Sequence, residues 1–117
     1  MGFSHSTYHA FGVHVPQDQF QTDEFAQETA WLDAVINHTE GLDSSLLGYL
    51  SAGDYDRDEL FLIASEPGER LEAKLGTFRV LSEVDVTGRA EAIKALAEAA
   101  GYRITTEPGW MVIPDCS

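Results

Sequence analysis

An α+β domain is what this sequence predicts, on three observations. Short runs rich in β-branched and aromatic residues alternate with two longer segments of helical periodicity, each ended by a glycine. The chain has 117 residues, the size of one domain spanning 1–117, and 44% of them are hydrophobic, enough for a buried core. No internal repeat, low-complexity tract or linker divides it.

The elements follow in order. "HSTYHAFGVHV" from His5 to Val15 reads as a strand ending at Pro16. Its alternation puts His5, Thr7, His9, Phe11 and Val13 on one face and Ser6, Tyr8, Ala10, Gly12 and His14 on the other. In "TDEFAQETAWLDAVINHTEG", Thr22 or Asp23 can cap a helix carrying Phe25, Thr29, Leu32, Val35 and Ile36 on one side, with Gly41 at its exit. "LLGYLSAG" and "ELFLIAS" are the arms of a hairpin joined by the acidic segment Asp54–Glu59. Pro67-Gly68 turns the chain, and "KLGTFRVLS" predicts a further strand around Thr77–Leu81. Asp85 or Thr87 opens a second helix, whose Ala90, Ile93, Leu96, Ala97 and Ala100 form one stripe before Gly101 stops it. "YRITTEPGWMVIP" closes the chain as a strand, or as a small hairpin turning at Pro108-Gly109. Trp31, Trp110, Phe61, Phe78 and Tyr49 are expected in the core. This order predicts an antiparallel or mixed sheet of about four to six strands with both helices on one face, a variant of the ferredoxin-like, split βαβ pattern.

Charge is the strongest global signal. Twenty acids against seven bases give −13, and residues 1–56 hold nine of the acids, all four histidines and no Lys or Arg. Such a field repels nucleic acid and anionic membranes and attracts basic partners. The sequence contains no run of about 20 apolar residues of the kind that spans a bilayer, and the start lacks the basic and apolar regions of a signal peptide. The single cysteine, Cys116, cannot form an internal disulfide. A cytoplasmic protein is expected.

"DYDRDE" is the densest acidic stretch. Asp54, Asp56 and Asp58 alternate as in the first half of a calcium loop, but Glu59 stands where the turn needs glycine and Ser65 where the bidentate Glu belongs. The segment reads more simply as a hairpin connection with its acids displayed outward. His5 and His9 share a strand face about 13 Å apart at about 3.3 Å per residue, too far to hold one ion. A zinc site would need His9 and His38 to meet across the fold. Cys116, near the end of the chain, is expected in a mobile tail. No nucleophile elbow and no phosphate-binding glycine motif occurs, so neither catalytic residues nor a cofactor are expected.

"LSAGDYDRDELFLIAS" and the ending "EPGWMVIPDCS" resemble a group of small uncharacterised acidic proteins of actinobacteria and their phages. The resemblance covers about a quarter of the chain. It implies that the hairpin and the C-terminal turn are features of the type, and it implies no catalytic residues.

The function expected from these readings is that of a non-enzymatic interaction protein presenting acids to a basic partner protein. Asp54, Asp56, Asp58 and Glu59 would form one patch, and Asp18, Asp23, Glu24 and Glu28 on the approach to the first helix another. A sharper form is imitation of the phosphate array of DNA. The alternative is a small metal-binding protein or metal-dependent enzyme using Asp54, Asp56 and Asp58 or His9 and His38. Burial of an exposed sheet face in a homo-oligomer is a third class.

Overall fold

The computed structural model describes residues 5–54, 57–65, 71–74, 76–78, 80 and 85–116, and for residues 5, 6, 54, 57, 58, 71, 115 and 116 it describes the backbone. The elements are β1 (His5–Val15), a short 3-10 turn (Gln17–Gln19), α1 (Phe25–His38), β2 (Leu47–Asp54), β3 (Arg57–Ala64), β4 (Leu71–Lys74), α2 (Arg89–Ala100) and β5 (Gly109–Cys116). The five strands form one antiparallel sheet in which β1 pairs with β3, β4 and β5, and β2 pairs with β3.

A strand has only two edges, which fixes how β1 serves three partners. Gly12 faces Ile63 of β3 and Gly109 of β5 at the same time, so those strands lie on opposite edges. Thr7 likewise faces Ala73 of β4 and Pro114 of β5. Hence β3 and β4 follow each other along one edge of β1, and β5 takes the other. β5 also approaches β2, so the sheet curls.

Both helices pack on one face of this sheet. Phe11, Val13 and Val15 of β1, Leu60 and Leu62 of β3, and Leu47 of β2 meet Leu32, Val35 and Ile36 of α1 and Ile93, Leu96 and Ala97 of α2. Each large aliphatic side chain fully buried here contributes about 1.5–3 kcal/mol relative to exposure. The opposite, concave face holds a smaller cluster of Ala10, Leu50, Ala52, Ile63 and Ile113. The alternation of β1 thus falls on the two faces as its sequence predicts.

Four expectations are corrected. The strand after the hairpin is Leu71–Lys74, and of the expected strand Thr77–Leu81 the described residues Thr77, Phe78 and Val80 are not in a strand. The Thr77 amide and hydroxyl both bond the Lys74 carbonyl, and Gly76 has a positive φ, so the chain turns there. Arg79 and residues 81–84 lie outside the described residues. Phe78, expected in the core, is 83% exposed, and Trp31 and Trp110 are partly exposed at its margins. Pro108-Gly109 does not turn a hairpin, because the whole of Gly109–Cys116 runs beside β1. Cys116 accordingly stands in the ladder opposite His5, although a mobile tail was expected.

Gly12 is where the central strand passes closest to its neighbour. A Cβ built on it would lie 1.9 Å from the Leu62 carbonyl oxygen and 2.9 Å from its carbon. Those are backbone atoms and cannot turn aside as a side chain can. Gly12→Ala must therefore push β1 from β3. We expect it to lower stability by at least about 3 kcal/mol and the melting temperature by upwards of about 10 °C, read by thermal denaturation. Gly48→Ala, whose Cβ would only touch the Ile63 side chain at 3.9 Å, is the control and should change little.

Candidate functional site

The acidic hairpin is built more tightly than its sequence suggests. The register pairs Leu47 with Ala64 and continues to Ala52 with Glu59, Gly53 with Asp58 and Asp54 with Arg57. Three of the four acids are therefore strand positions, and only two residues, which lie outside the described residues, separate the strands. This corrects the reading of Asp54–Glu59 as the connection between the arms: a two-residue connection lets the ladder run to its end. Asp56 falls in that connection.

Glu59 faces the concave side of the sheet. Its carboxylate meets His14 Nε2 at 2.8 Å, and the His14 ring tilts against Phe61 with centroids 5.2 Å apart. These residues are 45 positions apart in the chain. Beside Glu59 runs an open groove of about 400 Å³ between β2, β3 and β5, floored by Ala52, Phe61, Met111 and Ile113. It exists because the helices cover only the other face, and because the curl brings β5 towards β2.

The second predicted patch divides. Asp18, Asp23 and Glu24 are exposed, as are Asp33, Glu40 and Asp43 further along. Glu28 is not: it is fully buried, which corrects its assignment to a partner-facing surface. Its Oε1 accepts from the Gln21 amide at 2.9 Å and from the Thr22 amide and hydroxyl at 2.8 Å each, while Oε2 accepts from the Tyr102 hydroxyl. The predicted caps, Thr22 and Asp23, do not cap α1. Glu24 holds the N-cap position without a side-chain bond, and Glu28, one turn inside the helix, reaches back to order the approach.

Burial pushes the Glu28 carboxyl up, but the bonds from Tyr102, Gln21 and Thr22 together outweigh it and hold it below its ordinary value. Burial, then the bond to Glu28 and its charge, push the Tyr102 phenol well above its ordinary value. Around them the exit of α2 is tied to the approach to α1. Trp31 Nε1 donates to the Ala100 carbonyl at 3.1 Å, Gln21 Nε2 to the Gly101 carbonyl at 3.2 Å, and the Arg103 amide to Gln19 Oε1 at 2.8 Å. Helix-end carbonyls that no turn of α2 can satisfy thus receive side-chain donors.

The histidines do not converge in any arrangement among the described residues that gathers three ligating side chains. His9 instead stacks on Trp110, with centroids 4.7 Å apart and planes 6° from parallel, and His38 stands exposed in the last turn of α1. In α2, Gly88 takes the N-cap with a positive φ, while Asp85 accepts the Thr87 amide one turn earlier. Arg89 is buried and donates to the Ala64 carbonyl at 3.2 Å, and Lys94 pairs with Glu107 at 2.9 Å. No helix among the described residues is long and apolar enough to cross a membrane. In comparisons with known proteins, no family model, curated protein or solved structure matches the chain.

The Glu28 network makes stability pH-dependent with a definite sign. Because the native carboxyl titrates below its ordinary value of 4.5, its contribution is complete above that pH and is lost as the pH falls through the lowered native value. Tyr102 acts oppositely at the other end: its contribution is complete below its ordinary value of 10.0 and is lost as pH rises beyond it. Glu28→Gln leaves one acceptor oxygen for these donors and turns its NH₂ towards either the Gln21 and Thr22 amides or the Tyr102 hydroxyl. It should lower stability by about 2–4 kcal/mol at neutral pH and flatten the acid limb in denaturant titrations. Tyr102→Phe, which removes one donor, should cost about 1–2 kcal/mol.

Proposed function

We propose that the chain is an acidic interaction domain that binds a basic partner protein, without catalysis of its own. The observation that carries this reading is the placement of the described acids. From the 3-10 turn to the start of β2, Asp18, Asp23, Glu24, Asp33, Glu40 and Asp43 are all exposed, in a half of the chain that contains no Lys or Arg. Of the seven bases elsewhere, Arg89 is buried in the core and Lys94 is matched to Glu107. A field of this sign steers cationic surfaces and fixes their register more than it adds raw affinity.

The acids Asp54, Asp58 and Glu59 on the hairpin, with Asp56 between its strands, form the second contact surface in this reading. Its sharper form is a decoy for the phosphate array of DNA, presented to a nucleic-acid-handling protein. The resemblance to acidic proteins of actinobacteria and their phages accords with it. We further read the fold as a split βαβ variant. The order β2, β3, β1, β5, with one helix between β1 and β2 and the other between β4 and β5, supports this, and β4 is then the addition.

Affinity capture from nuclease-treated lysate of the source cell tests the function. A basic protein should be retained at about 0.1 M salt and released at about 1 M, where the screening length shrinks from about 10 Å to about 3 Å. Capture of nothing that salt releases would overturn the reading. With the retained partner in hand, Asp54→Asn, Asp56→Asn and Asp58→Asn together should keep the melting temperature within a few degrees and weaken binding about tenfold, with a shallower salt dependence by titration calorimetry. The pair Asp23→Asn and Glu24→Gln should act in the same sense if the α1 side also makes contact.

A further inference from the structure

The helix layer closes only part of its face of the sheet. Among the described residues, none of β4 or β5 belongs to the core cluster that α1 and α2 complete. The register shows what is left over. Phe11 stands opposite Trp110, His9 opposite Val112, and Thr7 opposite both Pro114 and Ala73, and cross-strand partners share a face. Thr7, His9, Ala73, Trp110, Val112 and Pro114 therefore continue the helix side of the sheet beyond the helices. Val112 is 70% exposed and Trp110 43%, and Pro114 is exposed beside them. None of the six is Asp, Glu, Lys or Arg, in a chain that carries twenty acids. His9 lies flat on Trp110 with ring centroids 4.7 Å apart, so the indole is held in place before anything docks.

We infer that a second copy of the chain docks on this uncharged face, sheet against sheet, about a two-fold axis. Such a contact sets a patch against its own image, so the patch must lack charge of one sign. The exposed acids around α1 fail that condition, and this face meets it. A partner recognised by its positive charge finds no counter-charge here. The depth matches as well: a helix layer is about 10 Å thick and facing sheets pack about 10 Å apart. The sheet of the second copy thus occupies the level that α1 and α2 occupy beside it. Across β4, β1 and β5, over His5–Phe11 of β1, the patch measures about 14 by 23 Å, from strands about 4.8 Å apart and a rise of about 3.3 Å per residue. With side-chain relief, two copies bury on the order of 1,000 Å², the low end for a specific contact, which sets a micromolar dissociation constant.

Sedimentation equilibrium of the full chain tests this. From about 1 to about 200 µM the mass should rise towards twice that of the monomer. The dimer should tighten between about 0.05 and about 0.5 M salt, because screening relieves the repulsion between two chains of net charge −13. That sign is opposite to the salt dependence of a contact with a basic partner. Over the same concentrations the Trp110 indole and Val112 methyl resonances should shift in the unmutated chain, which keeps the test independent of any variant's folding. Val112→Glu should raise the dissociation constant at least about tenfold, whereas Ala95→Glu, which adds the same charge on the exposed side of α2, should change it by no more than about twofold. A monomer mass at every concentration and salt would overturn the inference. So would a dimer that salt weakens, one that Val112→Glu leaves intact, or one whose Trp110 and Val112 resonances do not move.

Discussion

A single buried carboxylate organises the helical layer. Glu28 gathers the Gln21 and Thr22 amides, the Thr22 hydroxyl and the Tyr102 hydroxyl, groups from before α1 and after α2. A charge placed in a core is unfavourable unless its bonding capacity is met, and here both oxygens are engaged. The dependence runs in both directions. The carboxylate needs those donors, and without it the chain between the 3-10 turn and α1 has nothing to hold its amides. Trp31 and Gln21 then use the same approach of segments to satisfy the last carbonyls of α2. The helices are therefore joined at one end by polar chemistry and along their lengths by Leu32, Ile36, Ile93 and Leu96.

The sheet depends on a different constraint, the absence of a side chain. Gly12 lets the backbones of β1 and β3 approach at the point where β1 is flanked by β3 on one edge and β5 on the other. The curl that follows brings β5 near β2 and makes the second face concave. That curvature turns a set of strand residues into a groove. The polar lock on one face and the close approach at Gly12 are thus separate devices with a joint result: among the described residues, one face carries both helices and the other carries none.

Much of this was legible in the sequence, and the failures have physical causes. β1 was readable to the residue because period-two alternation and Pro16 bound it. The stripe of α2 was readable because Gly101 ends it. The hairpin was visible, yet not how far its ladder extends, since acids are uncommon in strands and look like turn residues until the register is known. The strand predicted at Thr77–Leu81 failed because β-branched composition states only a willingness to pair; the edge of β1 was already taken by Leu71–Lys74. Glu28 failed for the opposite reason. In the sequence it is one acid among several at a helix start, and its donors include Tyr102, 74 positions away, which no local pattern connects to it. The pairing of His14 with Glu59 needed the β1–β3 register for the same reason.

The position of Glu28 also clarifies what the remaining acids do. One acid in the N-terminal half, Glu28, is internal and bonded through both oxygens, so its charge is accounted for by folding and not by any partner. Of the exposed ones, Asp33 accepts from the Tyr49 hydroxyl and Asp43 from Ser45, whereas Asp23 and Glu24 sit at a helix start, where a favourable interaction with the helix dipole is worth at most about 1 kcal/mol. A cluster whose internal contribution is that small, on a chain of net charge −13, works against itself by mutual repulsion. Under the proposed function, an opposing cationic surface would relieve that repulsion. The apolar groove beside Glu59 follows the same logic from the other side, since its half-buried Phe61 and Met111 stay in contact with water until something covers them. Charge repulsion and half-buried apolar surface would then be two separate sources of free energy for an association of the proposed kind.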